Sequence, residues 1–201
     1  MKLYFKPGAC SLASHIILNE IGVIHEIEHV DTDKKLTISG QDFLKINPKG
    51  YVPALELDNG EVLTEGASVL QYLSEIDHSF YSPKSGTIEK ARLQEYLNFT
   101  SSELHKAFGP FFNAKANDED KEAAKKQVAH KLDYIETVLA DGRNYLLGEN
   151  FSVADAYLFV VSNWSNFVSI DLENWPKLRA FIDRVSTRPA VQAAMRAEGL
   201  I

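Results

Sequence analysis

Apolar and polar residues alternate in short runs over the first 80 positions, and helical spacing takes over afterwards, the pattern of an α/β half followed by a helical half. Lys2-Leu3-Tyr4-Phe5 predicts a strand, Ser11 to Ile21 an apolar-rich helix, and Gly22 its stop. His25 to Val30 alternates as a second strand. Gly40-Gln41-Asp42-Phe43-Leu44 predicts a short helix, ended before Asn47-Pro48 because a residue preceding proline avoids helical angles. Ala54-Leu55-Glu56-Leu57 and Glu61-Val62-Leu63 flank Asp58-Asn59-Gly60, a hairpin signal in which Asn-Gly supplies positive φ. Glu65 to Ile76 then reads as a helix.

From His78 to Gly86 no period is sustained and turn formers dominate, as in an interdomain linker. Domains are therefore expected over 1–80 and 87–201, the second all-helical. Val128, Leu132, Ile135 and Leu139 recur at i, i+4, i+7 and i+11, one core-facing helical stripe. Ala154 to Val161 is apolar nearly all round, as in a helix buried on every side. Ser152-Val153-Ala154-Asp155 opens that helix as a capping box, with Phe151 as a staple, so Asp155 reads as structural. The charged run from Asn117 to Lys126 reads as a solvated helical face.

The chain has 201 residues, 45% hydrophobic and 24% charged, ordinary globular composition. No signal peptide is legible, and no apolar run reaches the ~20 residues that span a bilayer, so a cytoplasmic protein without membrane partners is expected. The formal charge of -7 argues against nucleic-acid binding. A small anion needs only a local basic pocket, for which Lys34, Lys35 and Lys106 are candidates.

Cys10, the single cysteine, falls where the first strand gives way to a helix, inside Lys6-Pro7-Gly8-Ala9-Cys10-Ser11. Unpaired N–H groups and the positive dipole end at that point favour a thiolate, whereas a lone cysteine is also commonly a small buried hydrophobe. Position alone leaves both readings open. Pro53 is a candidate cis residue whose turn would leave the Val52 N–H and C=O facing solvent, ready to pair with an extended peptide. At Thr64-Glu65-Gly66 a helix start offers N–H donors to a carboxylate, and Glu65 an acceptor to an ammonium, a pair that suits an α-amino-acid end; Glu there also serves as plain dipole compensation. Asn98, Ser102 and His105 at i, i+4 and i+7 predict one polar helical stripe, with Lys106 adjoining.

Taken as a set, Pro7 to Ser11, Asn47-Pro48-Lys49-Gly50-Tyr51-Val52-Pro53-Ala54-Leu55, Leu63 to Gly66, Glu103 to Lys106 and Phe151 to Leu158 resemble bacterial beta-class glutathione S-transferases across essentially the whole chain. The resemblance implies a thioredoxin-like N-terminal domain, an all-helical C-terminal domain, a homodimer, glutathione as cosubstrate and no metal. It places the glutathione sulfur beside Cys10, with Ser11 nearby, and pairs Val52 with the cysteinyl backbone. Glu65 and Gly66 would hold the γ-glutamyl end and Lys35 the glycyl carboxylate. His105 and Lys106 would add contacts, and Asn98, Ser102 and Glu103 would lie at the dimer interface within reach of the neighbouring subunit's glutathione.

Two positions depart from that pattern. Phe5 stands where beta-class members commonly carry tyrosine, and Gly66 where many classes carry serine. The implied reaction is attack of the glutathione thiolate on a hydrophobic electrophile, a detoxification chemistry, with His105 assisting by hydrogen bonding or proton transfer. Cys10 adds thiol-disulfide exchange or peroxide reduction by a monothiol route, since a C-x-x-C motif would need cysteine at Ala13. A binding module of the same fold without turnover is the alternative. Phe108, Phe111, Phe112, Trp164 and Phe167 are candidates to wall the electrophile's pocket, although large apolar residues are more often core.

Overall fold

The computed structural model describes residues 1–77 and 80–201, so His78 and Ser79, the first residues of the expected linker, lie outside the described residues. The described residues form two compact units, Met1–Ser82 with Thr187–Ile201, and Pro83–Ser186.

The first unit begins with β1 (Lys2–Phe5), α1 (Ser11–Glu20), β2 (Glu26–Asp31), β3 (Leu36–Thr37), β4 (Ala54–Glu56), β5 (Val62–Thr64) and α2 (Gly66–Ile76). The strands form one sheet in the order β3-β2-β1-β4-β5. β1 and β2 run parallel across the α1 crossover, and the other pairs are antiparallel, the mixed sheet of a thioredoxin-like fold. Alternation on β1 sends Tyr4 to a buried cluster with Val30, Phe43, Val52 and Ala54, where its hydroxyl donates to Glu56 Oε2 at 2.6 Å. Phe5 points the other way, its ring 6.2 Å from His15 of α1 and 5.7 Å from His29 of β2.

The hairpin and Gly22, at φ +67°, are as expected. The short helix expected over 40–44 is instead a single 3₁₀ turn at Phe43–Lys45, because Asp42 caps it from outside by accepting from the Leu44 N–H at 3.0 Å. β3 matches no expected element; two residues are too few to show a period.

The second unit contains α3 (Ile88–Phe99), a π-helical turn (Thr100–Leu104), α4 (His105–Ala107), α5 (Gly109–Phe112), α6 (Asp118–Val138), α7 (Val153–Asn163) and α8 (Pro176–Ser186). Val128, Leu132, Ile135 and Leu139 are buried as their spacing predicts, and Val153 to Ser162 are buried without exception. At the start of α7 the Asp155 carboxylate accepts from the Ser152 N–H at 2.8 Å, the Ser152 hydroxyl at 2.6 Å and the Leu146 N–H at 2.7 Å. The charged run is the first part of α6, begun by a capping box between Asn117 and Asp120 that composition did not reveal. Among the described residues no helix is long and apolar enough to cross a membrane.

α9 (Pro189–Ala197) returns to the first unit, which departs from the expected second domain over 87–201. Polar contacts explain the return. Arg188 donates to both Glu20 carboxylate oxygens at 2.6 and 2.9 Å, and Asn19 donates to the Ala190 carbonyl at 3.3 Å. These partners lie on α1, about 170 residues away, beyond any local pattern in the sequence.

Candidate functional site

Cys10 is the N-cap of α1, where the loop from β1 turns into the helix. The Lys6 N–H donates to Ser11 Oγ at 3.3 Å and the Ala9 N–H to the Lys6 carbonyl at 3.0 Å, so Ser11, fully buried, ties the loop to itself. Glu198, from the chain end, accepts from the Gly8 N–H at 3.0 Å and lies 2.9 Å from His15 Nδ1, anchoring the same loop to α1. Sequence reasoning missed Glu198; its partners are more than 180 residues away.

The Val52-Pro53 peptide is cis, as expected. The Val52 carbonyl was expected to face solvent; instead it accepts from Cys10 Sγ at 3.5 Å, because the turn delivers it against the start of α1. Lys35, at φ +59°, donates from Nζ to the Gly50 carbonyl at 2.7 Å, and Asn47 Nδ2 donates to the Tyr51 carbonyl at 2.7 Å. Gly50 is required beneath the Lys35 stem: at φ +70°, a Cβ there would come within 3.1 Å of Leu44 and 3.3 Å of Lys35. The structure therefore brings Cys10, Ser11, Val52 and Lys35 into one set of loops.

Glu65 is the N-cap of α2 and Gly66 its first residue. Glu65 lies at φ +69° and ψ 113°, a conformation costly for a residue with a Cβ. Its Oε1 accepts from Lys49 Nζ and, at 3.0 Å, from the Tyr51 hydroxyl. Lys49 Nζ also donates to Thr64 Oγ1 at 3.0 Å. Lys49 and Tyr51 stand inside the quoted motif, yet nothing in residue type announced that they meet Glu65.

The remaining expected residues belong to the second unit. Ser102 Oγ donates to the Asn98 carbonyl at 2.8 Å, and Lys131 Nζ donates to Glu103 Oε2 at 2.7 Å. Ser102, Glu103 and Lys106 are exposed, but His105 turns inward. Its Nδ1 is 3.1 Å from the Tyr157 hydroxyl, and its ring stands edge-on to Trp164 with centroids 4.8 Å apart. The single polar stripe is thus corrected: the π turn at Thr100–Leu104 inserts an extra residue, worth about 100° of rotation, which swings His105 off the line of Asn98 and Ser102. Burial, with a smaller contribution from the Lys106 charge, lowers the His105 pKa to about 4, so at neutral pH the ring is uncharged.

The expected aromatic wall divides in the same way. Phe108 and Trp164 are buried in the core of the unit, while Phe112 and Phe167 are 59% and 71% exposed. Phe108 and Phe112 both meet Trp164 edge-on, at 5.7 and 5.2 Å. Lys34 pairs with Asp31 at 3.3 Å on an exposed surface, apart from the contacts that hold Lys35.

A mixed sheet of this order, with a cis-proline turn facing a cysteine at the first helix start, defines a thioredoxin-like protein with an appended helical unit. Two family models match the chain: the glutathione S-transferase N-terminal domain over residues 8–76 and the C-terminal domain over 99–189. The glutathione S-transferase GstA of Escherichia coli O157:H7 is 43% identical over 202 residues, covering both chains completely. The bacterial beta-class glutathione S-transferase of Sphingomonas chungbukensis is 44% identical with a TM-score of 0.96, covering 100% of each chain. A sphingomonad glutathione S-transferase complexed with glutathione is 45% identical, with a TM-score of 0.95 and 100% coverage of each chain. The chain belongs to the glutathione S-transferase family, and the beta-class resemblance of its motifs is borne out.

Proposed function

We propose that this transferase holds glutathione along the loops around Cys10 and conjugates it to a hydrophobic electrophile. The observation that supports this most directly is the 3.5 Å approach of Cys10 Sγ to the Val52 carbonyl, which brings a thiol and a peptide-pairing backbone to one point. Val52 pairs with the cysteinyl backbone of glutathione, Lys35 takes the glycyl carboxylate, and Glu65 with Gly66 takes the γ-glutamyl end. Ser11 keeps the Cys10 loop in shape. Asn98, Ser102, Glu103, His105 and Lys106 are assigned to glutathione by family resemblance, the first three from the neighbouring subunit of a homodimer. The enzyme works in the cytoplasm.

In conjugation the glutathione thiol gives up its proton, sulfur bonds to the electrophilic carbon, and the leaving group departs with its electron pair. Burial leaves His105 uncharged and a weak base, with its pKa lowered to about 4, so it is suited to hydrogen bonding, and the proton passes to water. Cys10 supports a second reaction. Its thiolate attacks the disulfide of oxidised glutathione, the Cys10–glutathione bond forms, and one glutathione thiolate leaves and is protonated by water.

Intact mass after incubation with oxidised glutathione should rise by one glutathionyl group in the wild type and not in Cys10→Ala. Conjugation of a chromogenic halonitroarene should persist in Cys10→Ala, since the attacking sulfur belongs to glutathione. No adduct on the wild type would remove the redox assignment; loss of glutathione binding together with conjugation in Cys10→Ala would make Cys10 part of the glutathione site proper.

A further inference from the structure

His105 is held at its backbone and at its ring. Its N–H donates to the Thr100 carbonyl, the long bond that makes the π turn. Tyr157 of α7 is buried, with its hydroxyl 3.1 Å from His105 Nδ1 and its ring at 89° to the imidazole. Trp164, just past the end of α7, stands edge-on to the imidazole at 4.8 Å. Phe108 and Phe112 meet the same indole edge-on at 5.7 and 5.2 Å, so the indole is itself wedged in place. Turning the imidazole over would set a carbon against the Tyr157 hydroxyl. Nδ1 therefore belongs to Tyr157, and Nε2 is directed away from it.

A neutral imidazole carries one ring proton, and the hydrogen bond made by one nitrogen decides which nitrogen has it. Burial and the Lys106 charge keep this ring neutral at pH 7. Burial does so by penalising the charge, and it leaves the lone pair in place. A phenol O–H is a far stronger acid than the N–H of a neutral imidazole, and an imidazole nitrogen a far stronger base than a phenol oxygen. The pair is therefore strongest with Tyr157 donating to Nδ1. That leaves the ring proton on Nε2, where it forms a donor. Since the ring stays neutral down to about pH 4, the donor is constant across the neutral range.

We infer that Tyr157 is a positioning residue for conjugation: its hydroxyl holds His105 in the Nε2–H form, and His105 meets the glutathione thiolate as an uncharged hydrogen-bond donor. The inference rests on the reading that His105 contacts glutathione. It goes further in two ways. A nitrogen that already carries its proton cannot take the one that the thiol gives up, so His105 stabilises the thiolate and is not its base. The residue that decides this is Tyr157, which touches neither sulfur nor electrophile and acts through the imidazole.

Long-range proton–nitrogen NMR of the histidine rings reads the tautomer directly in the free enzyme, with His105→Phe identifying the His105 signals by their loss. At pH 7 the wild type should show a protonated Nε2 and a bare Nδ1, and Tyr157→Phe a mixture of the two forms. A wild-type ring protonated on Nδ1, or a tautomer that Tyr157→Phe leaves unchanged, overturns the proposal. The thiolate absorbance of bound glutathione, taken against the S-methylglutathione complex and followed with pH, reads the consequence, and thermal melts confirm that the variants are folded. The thiol pKa should rise by about one unit in His105→Phe and about half a unit in Tyr157→Phe. Below the thiol pKa, kcat/KM should then fall about tenfold and about threefold, and above it both variants should converge on the wild type. The double variant should shift no further than His105→Phe, because Tyr157 acts through His105. A thiol pKa that His105→Phe does not move removes the underlying reading of His105, and the proposal with it, even where the tautomer is as expected. Movement in His105→Phe but not in Tyr157→Phe, or shifts that add in the double variant, overturns the role of Tyr157 alone.

Discussion

Glu65 and Asp155 are both acids in the opening turn of a helix, and their surroundings could hardly differ more. Asp155 is completely buried and accepts from the Leu146 N–H, the Ser152 N–H and the Ser152 hydroxyl, donors that belong to its own helix start and the loop before it. Glu65 has a side chain 53% exposed, held by Lys49 and Tyr51, on a backbone with φ +69°. One carboxylate closes backbone valences that folding would otherwise bury unpaired. The other is held open at some conformational cost, which no capping requirement explains. An acid at a helix start is therefore ambiguous in sequence. Its donors and its φ decide what it is for.

The largest consequence is expected at Asp155. Asp155→Ala strands two buried N–H groups, each costing about 1–3 kcal/mol, so stability should fall by roughly 3–5 kcal/mol and the Tm by on the order of 10 °C. Glutathione KM should hardly move in the folded fraction at low temperature. A variant with unchanged Tm but lowered kcat would break the comparison, by giving Asp155 a role in the reaction.

A smaller effect separates burial from hydrogen bonding at the same residue. Burial pushes the Asp155 pKa up to about 6, against the pull of its donors. A folded pKa above the unfolded one favours the native state below the unfolded value of 3.8, and that advantage is lost as pH rises through about 6. Asp155→Asn does not titrate. Its stability deficit relative to wild type should therefore be widest near pH 4 and narrow by on the order of 2–3 kcal/mol toward pH 7. Denaturant titrations at the two pH values would measure it. A deficit that widens with pH would mean that the donors outweigh burial and hold the carboxylate ionised.

What the sequence disclosed follows from how local each cause is. The hairpin at Asn59-Gly60, the stop at Gly22 and the cap at Ser152 each depend on a few adjacent residues, and each stands as read. The cis turn at Val52-Pro53 was legible as a possibility, but its meeting with Cys10 spans 42 positions. Glu198 reaching Gly8 and His15 and α9 returning to α1 span far more, and chain pattern carries no trace of such contacts. The stripe through His105 failed for a different reason. Its spacing assumed an unbroken α-helix, and one π turn changed the phase. Lys49 and Tyr51 were in plain view within the motif, but a lysine and a tyrosine in a turn have many ordinary uses.

The smallest effect is the sharpest test of the contrast. At φ +69° and ψ 113°, Glu65 lies outside the αL well, in a conformation that costs a residue with a Cβ about 1–3 kcal/mol and costs glycine less. Glu65→Gly relieves part of that cost, gives back about 0.5–1 kcal/mol through the greater freedom of an unfolded glycine, and gives up a surface ion pair worth about 0–1 kcal/mol. The balance predicts a protein within about 1 kcal/mol of wild type in stability, with the Tm shifted by no more than about 4 °C. Glutathione affinity should fall at the same time. Asp155→Gly should lose stability outright, because Asp155 sits within α7 and its carboxylate serves buried donors. Stability kept with affinity lost at one acid, and stability lost at the other, is the signature of a carboxylate kept for a ligand beside one kept for the fold. A Glu65→Gly protein destabilised by more than about 1 kcal/mol would place Glu65 with Asp155, as a structural residue whose backbone angle the fold tolerates for stability.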